Sequence, residues 1–121
     1  QYAHARACSV VRRMAEQGWA WDADSAVQDL GHLVEEQEMA LLRRLDKYPE
    51  VVANAAAACE PHAVANYLRE LAGDFHTWYN AHKMLVEDAG QRNARIALSQ
   101  AVRQVIANGL DLLGVSAPES M

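Results

Sequence analysis

The sequence predicts an all-α fold, a bundle of about five helices. Three observations carry that expectation. Apolar residues recur at three- and four-residue spacing along most of the 121 residues. Aromatics make up 7% of the chain and β-branched runs are short, which weighs against a sandwich or barrel. Only three prolines and six glycines punctuate the chain, so linker-like and broadly disordered readings fall away. The length suits one domain, 1–121, that buries roughly two-thirds of its unfolded surface.

The first helix is expected over residues 2–17, with Val10, Val11 and Met14 on one face and Gly18 where a left-handed terminating residue belongs. A polar stretch with Trp19, Trp21, Asp22, Asp24 and Ser25 reads as a loop closing with an N-cap. Leu30, Leu33 and Val34 lead into a second helix over 34–46, its face carried by Met39, Leu42 and Leu45. Tyr48-Pro49-Glu50 ends it, because a residue before proline avoids helical backbone, and Pro49 then opens the next helix, about 49–59. Its small side chains, Ala53 and Ala55 to Ala58, are expected to let a neighbour approach closely. Pro61 opens a long helix, about 61–87, with Val64, Tyr67, Leu68, Leu71, Phe75, Trp78, Tyr79, His82 and Leu85 on a broad apolar face. Gly73 inside it suggests a tight crossing or a bend. The last helix, about 91–113, stops at Gly114, and 115–121 form a tail containing Pro118. The helical pattern already runs at Tyr2 without a preceding cap, so the sequence reads as a piece of a longer protein.

Composition excludes several classes. No apolar stretch approaches the length needed to span a bilayer, and no charged segment leads into an apolar one as in a signal peptide. Cys8 and Cys59 are too few and too separated for a disulfide scaffold or zinc site, so a reduced, cytoplasmic protein is expected. A di-iron bundle needs paired Glu-x-x-His motifs, whereas Asp29-x-x-His32 is a lone half-site. The five histidines contain no i, i+4 pair, and no phosphate loop or nucleophile elbow occurs. Glu35, Glu36 and Glu38 read as a solvated helix face. By itself the chain does not read as an enzyme.

Charge is more informative than its sum. The net value of −5 argues against nucleic acid, yet residues 1–20 hold Arg6, Arg12 and Arg13 against Glu16 alone, and residues 91–110 hold Arg92, Arg95 and Arg103 with no acid. The acids concentrate in 21–40. Tyr2 and Arg6 share a helix face, with Arg13 two turns on along the same side. Phe75, Trp78 and Tyr79 cluster on the long helix beside His76 and Asn80. Rings beside arginines are what single-stranded RNA recognition uses, since bases stack on rings and arginine holds phosphates or base edges. An aromatic stripe is ordinarily core, and Phe75 and Trp78 read so.

At this point a resemblance enters. Tyr2-Ala3-His4-Ala5-Arg6, Tyr48-Pro49-Glu50-Val51-Val52, Tyr67-Leu68-x-Glu70-Leu71-Ala72, Phe75-His76-x-Trp78-Tyr79-Asn80, Val102-Arg103-Gln104-Val105 and Asn108-Gly109-Leu110-x-Leu112-Leu113-Gly114 follow in order, with Ala117-Pro118-Glu119-Ser120-Met121 last. The whole chain resembles the carboxyl-terminal anticodon-binding (DALR) domain of arginyl-tRNA synthetases. The resemblance implies a parent class I enzyme that joins L-arginine to its tRNA with ATP and magnesium, releasing AMP and pyrophosphate. Neither the HIGH-type nor the KMSK-type motif is present, so the implied ATP and arginine sites lie in another domain and this fragment has no catalytic residues or cofactor of its own. The implied partners are the anticodon loop of an arginine tRNA and the catalytic domain of the same chain, with no membrane or DNA. The family's anticodon contacts carry over to Tyr2 and Arg6, Tyr79, and Met121. A further family tyrosine lies before the opening motif, outside this sequence. The tail has Ser120 where the family usually places arginine before the methionine, and the nickname motif is reduced to Arg92-Asn93-Ala94-Arg95, which supports the helix.

The genetic code agrees. Every arginine codon has G in the middle, so the middle anticodon base is always C. A reader of that base needs an acceptor for its N4 amino group and a ring for its face, expected here as a pocket of Tyr2, Arg6 and Tyr79 closed by Met121. The competing reading is a helical protein-interaction module, without RNA binding, that buries a partner helix against Trp78 and Leu85.

Overall fold

The computed structural model describes residues 1–119 except 23 and 25–27. Among the described residues there is no strand, and five α-helices have defined bounds: α1 (Tyr2–Glu16), α2 (Glu36–Asp46), α3 (Tyr48–Ala58), α4 (Pro61–Ala81) and α5 (Ala89–Leu112), with a 3₁₀ turn at Leu30–His32; Asp24, Gln28 and Asp29 are also helical, Asp24 within the stretch expected as a loop. The expected N-cap at Ser25 lies outside the described residues. No helix among them is long and apolar enough to cross a membrane.

Local chemistry accounts for most boundaries. Gly18, at φ +77°, ends α1, with the Trp19 amide donating back to the Met14 carbonyl at 3.1 Å. Pro49 and Pro61 occupy first turns, where a missing N–H costs nothing. Asp88 caps α5 by accepting from the Gln91 amide at 2.8 Å. Helix α2 begins at Glu36 rather than 34, because Glu35 is extended and its amide donates to Glu38 Oε1 at 3.1 Å.

The helices pack α1 along α5, with α4 against α2, α3 and α5. Their shared core holds Phe75, Trp78, Leu71, Leu41, Ile96, Val10 and Val102. Tyr67 is buried in it and donates to the Arg44 carbonyl at 2.7 Å, and burial pushes its hydroxyl up to about 12.

Four expectations need correction. The long helix ends at Ala81, not 87: His82 turns extended, and Met84 and Leu85 enter the core from the connection, where Arg95 Nη1 donates to the Lys83 carbonyl at 2.6 Å. Apolar spacing there reports burial without helix. Gly73 lies on an exposed face where an added Cβ meets nothing, so it marks no crossing; close approaches occur at Gly109, where an added Cβ would lie 2.6 Å from Leu68 Cδ2, and at Gly90, where it would lie 2.7 Å from His32 Nε2. In α3 only Ala55 is buried, and Ala53 and Ala56 to Ala58 face outward.

The fourth concerns Glu38, read as solvated. It is fully buried, and its Oε2 accepts from Trp78 Nε1 and from Arg95 Nε, both at 3.1 Å. One carboxylate therefore caps α2 through Oε1 and joins α2, α4 and α5 through Oε2. A buried charge persists only when paired and hydrogen-bonded, and Glu38 has both.

Candidate nucleic-acid interface

Tyr2, Arg6 and Tyr79 come together where the start of α1 meets the end of α4. The Arg6 guanidinium lies 4.9 Å from the Tyr2 ring centroid and 4.6 Å from that of Tyr79, within cation–π range of both. Two residues of α4 orient it. Arg6 Nη1 is 3.1 Å from His76 Nδ1 and donates to Asn80 Oδ1 at 3.4 Å. Because Arg6 only donates, His76 must present a bare Nδ1 and carry its proton on Nε2. Burial, then the neighbouring Arg6 charge, push His76 below its usual value, which keeps it the neutral acceptor this contact needs. The imidazole also stacks on Tyr2, with centroids 5.4 Å apart and planes 30° from parallel.

Tyr79 is half-buried, its ring tilted against Phe75 at 5.8 Å, and its hydroxyl accepts from Arg13 Nη2 at 2.8 Å. Tyr2 is 51% exposed, so about half of it remains accessible beside Arg6 and His76. Among the described residues neither Arg6 nor Arg13 has an acidic partner. The surface therefore offers aromatic faces, unneutralised guanidinium donors and an amide. Among the described residues no cluster of three or more His, Cys, Asp or Glu side chains is poised to hold a metal.

Met121 lies outside the described residues, but the tail up to Glu119 is placed. Gln1 Nε2 donates to the Ser116 carbonyl at 2.9 Å, and Arg12 Nη1 to that of Glu119 at 3.1 Å. Buried His4 meets the Pro118 carbonyl through Nδ1 at 2.7 Å, which places the ring proton on that nitrogen. At about 100° per residue, His4 lies about 160–180° around α1 from Tyr2, Arg6 and Arg13, and Arg12 about 80–120° from them. The described tail is thus held on the far side of α1 at His4 and, one residue on, at Arg12, nearer the aromatic cluster.

Sequence reasoning placed His76 and Asn80 nearby but gave them no role, and nothing local reveals that they fix Arg6. Arg13 was legible as a residue two turns from Arg6. Of the basic carboxyl-terminal segment only Arg103 adds to a basic surface, beside Arg12 of α1. Arg95 is buried on Glu38, and Arg92 covers the Trp19 ring at 4.1 Å while donating to the Val86 and Glu87 carbonyls. Trp78 and Leu85 are both buried, so the surface proposed for a partner helix does not exist.

The bundle and this surface define a class, the all-helical anticodon-binding domain. A segment of the Thermus thermophilus arginyl-tRNA synthetase structure superposes with a TM-score of 0.81 at 36% identity, covering 98% of this chain and 20% of that one. The sequence profile of the DALR anticodon binding domain matches residues 1–121, and the chain belongs to that family. Arginine–tRNA ligases from Thioalkalivibrio sulfidiphilus and from Legionella pneumophila strain Corby are 55% and 52% identical to it over all 121 residues. The chain spans 21% of the length of each.

Proposed function

We propose that this domain reads the anticodon loop of an arginine tRNA, with Tyr2, Arg6 and Tyr79 forming the base-binding surface and Met121 completing it. The observation that carries this reading is the Arg6 guanidinium held between two tyrosine rings, beside a second unpaired arginine at Arg13. A base stacks on Tyr2 or Tyr79, while Arg6 and Arg13 hold phosphate or base-edge acceptors. Family membership and the identity to arginine–tRNA ligases support the choice of tRNA. The parent enzyme, on this reading, attaches L-arginine to tRNA with ATP and magnesium in the cytoplasm, through a catalytic domain that this chain docks against and does not include.

Titrating the chain with an arginine-tRNA anticodon stem-loop tests the proposal. Binding should weaken more when the middle C is replaced than when the wobble base is. With about three to five phosphate contacts, log affinity against log salt should slope near −2 to −4. Equal affinity for all three loops would sink the reading. Charging of tRNA by the purified chain alone would contradict its role as a recognition module.

A further inference from the structure

The tail side of α1 carries a second cluster of donors that the aromatic surface does not use. A cavity of about 250 Å³ between α1 and α5 is lined by Cys8, Val11, Arg12, Gln100, Arg103 and Glu119. Gln100 Oε1 accepts from Arg103 Nε at 2.7 Å, which fixes the amide, and its Nε2 is buried with no hydrogen-bond partner. A buried donor without a protein acceptor is satisfied by water or by a ligand that accepts, so this amide is available to an acceptor entering the cavity. Around it stand two guanidinium groups. Each spends one N–H, Arg12 on the Glu119 carbonyl and Arg103 on Gln100, and neither forms an ion pair among the described residues. The one acidic side chain on the lining, Glu119, is exposed and leaves the donor set net positive.

The geometry points to a phosphodiester-binding site at Arg12, Gln100 and Arg103 that grips the RNA backbone beyond the anticodon bases; it rests on the anticodon-reading proposal. The chemistry fits because a phosphodiester is compact, anionic and rich in acceptor oxygens, and arginine forks match its geometry. Arg12 and Arg13 are adjacent on α1, so guanidinium groups continue from the Tyr79 hydroxyl round the helix to the cavity. A strand stacked on the tyrosines carries one phosphate per nucleotide along that path. Backbone contacts of this kind add affinity without reading sequence.

Three variants of the 121-residue chain test the site: Arg12→Gln, Arg103→Gln and Gln100→Met. Each arginine change should lower the steepness of the salt dependence by about 0.7 to 0.9 and weaken cognate and middle-base-changed stem-loops by the same factor. Gln100→Met should weaken both loops several-fold with no fall in melting temperature, since it removes an unpartnered buried donor. If a variant combining Arg12→Gln with Arg103→Gln keeps the parent slope and affinity while Tyr79→Ala still weakens binding, the aromatic reading stands and the phosphate site is wrong. A second readout judges the site without base recognition. The Gln100 side-chain amide resonance is followed during titration with an abasic ribose-phosphate heptamer, inorganic phosphate or a glutamate-rich peptide. The heptamer should shift it at least tenfold more tightly than the other two. No shift, or equal response to inorganic phosphate or to the acidic peptide, overturns the assignment.

Discussion

Arg6 lies over the ring of Tyr79 at 4.6 Å, a contact that joins the start of α1 to the end of α4. Their contact is prearranged before any ligand arrives, because His76 and Asn80 hold the guanidinium from the α4 side. Preorganised donors lose less freedom on binding, which favours affinity.

Tyr79→Ala should weaken stem-loop binding by roughly 1–3 kcal/mol, the worth of one base stacked on a ring. The ring also packs on Phe75, so the melting temperature should fall too. Tyr79→Phe keeps the ring and removes the acceptor of Arg13 Nη2; it should retain most of the binding if stacking dominates. Binding measured per folded molecule separates recognition from stability. Unchanged affinity in the alanine variant would remove Tyr79 from the interface.

His76 should make the domain sensitive to mild acid. Its folded-state value lies below the ordinary histidine value of 6.5, so the unfolded chain takes up the proton first. Its contribution to stability is complete above about pH 6.5 and is lost as pH falls through the lowered folded value. Protonation also converts Nδ1 from acceptor to donor and sets a cation against Arg6. Urea midpoints at pH 7.5 and 5, compared with those of His76→Gln, should show a smaller acid-induced drop in the variant.

Breaking the Glu38–Arg95 pair should be severe. Glu38→Ala leaves Arg95 buried without its counter-charge and Trp78 Nε1 without an acceptor, and about 3–5 kcal/mol of stability should be lost. Replacing both partners with apolar residues of similar volume, Glu38→Leu with Arg95→Met, should recover much of that. The cycle is read from denaturant midpoints.

Gly73 and Gly109, one on α4 and one on α5, should respond with opposite signs. Gly73→Ala adds a methyl group into open space and should stabilise by about 0.5–1 kcal/mol. Gly109→Ala drives a methyl group into buried Leu68 and should destabilise by about 1–3 kcal/mol. Equal and favourable shifts in melting temperature would mean that α4 and α5 can separate at that crossing.

Deleting residues 118–121 should lower stability by about 1–3 kcal/mol, because buried His4 then loses the Pro118 carbonyl. A tail that served recognition alone would leave the melting temperature unchanged. Loss of middle-base discrimination on top of that destabilisation would support Met121 at the site.

Much of this was legible in the sequence, and the limit is physical. Helix existence follows from apolar spacing and from punctuation at Gly18, Pro49, Pro61 and Gly114, which act locally on the chain's own backbone. The residues of the aromatic surface could be named because Tyr2, Arg6 and Arg13 repeat at helical intervals and Tyr79 belongs to a recognisable motif. Whether a given side chain faces solvent or core is a different kind of question. Glu38 sits among acids that look alike in sequence, yet only the crossing of α2, α4 and α5 supplies Trp78 and Arg95 to satisfy it. The same crossing removes Arg95 from the basic face and lets Met84 and Leu85 fill the core after α4 has ended. Likewise His76 becomes an orienting acceptor only because α1 brings Arg6 within 3.1 Å of it. The sequence by itself determined the helices and the domain class. Tertiary structure decided which charges are buried, which glycine is crowded and which rings remain accessible, because those depend on neighbours distant along the chain.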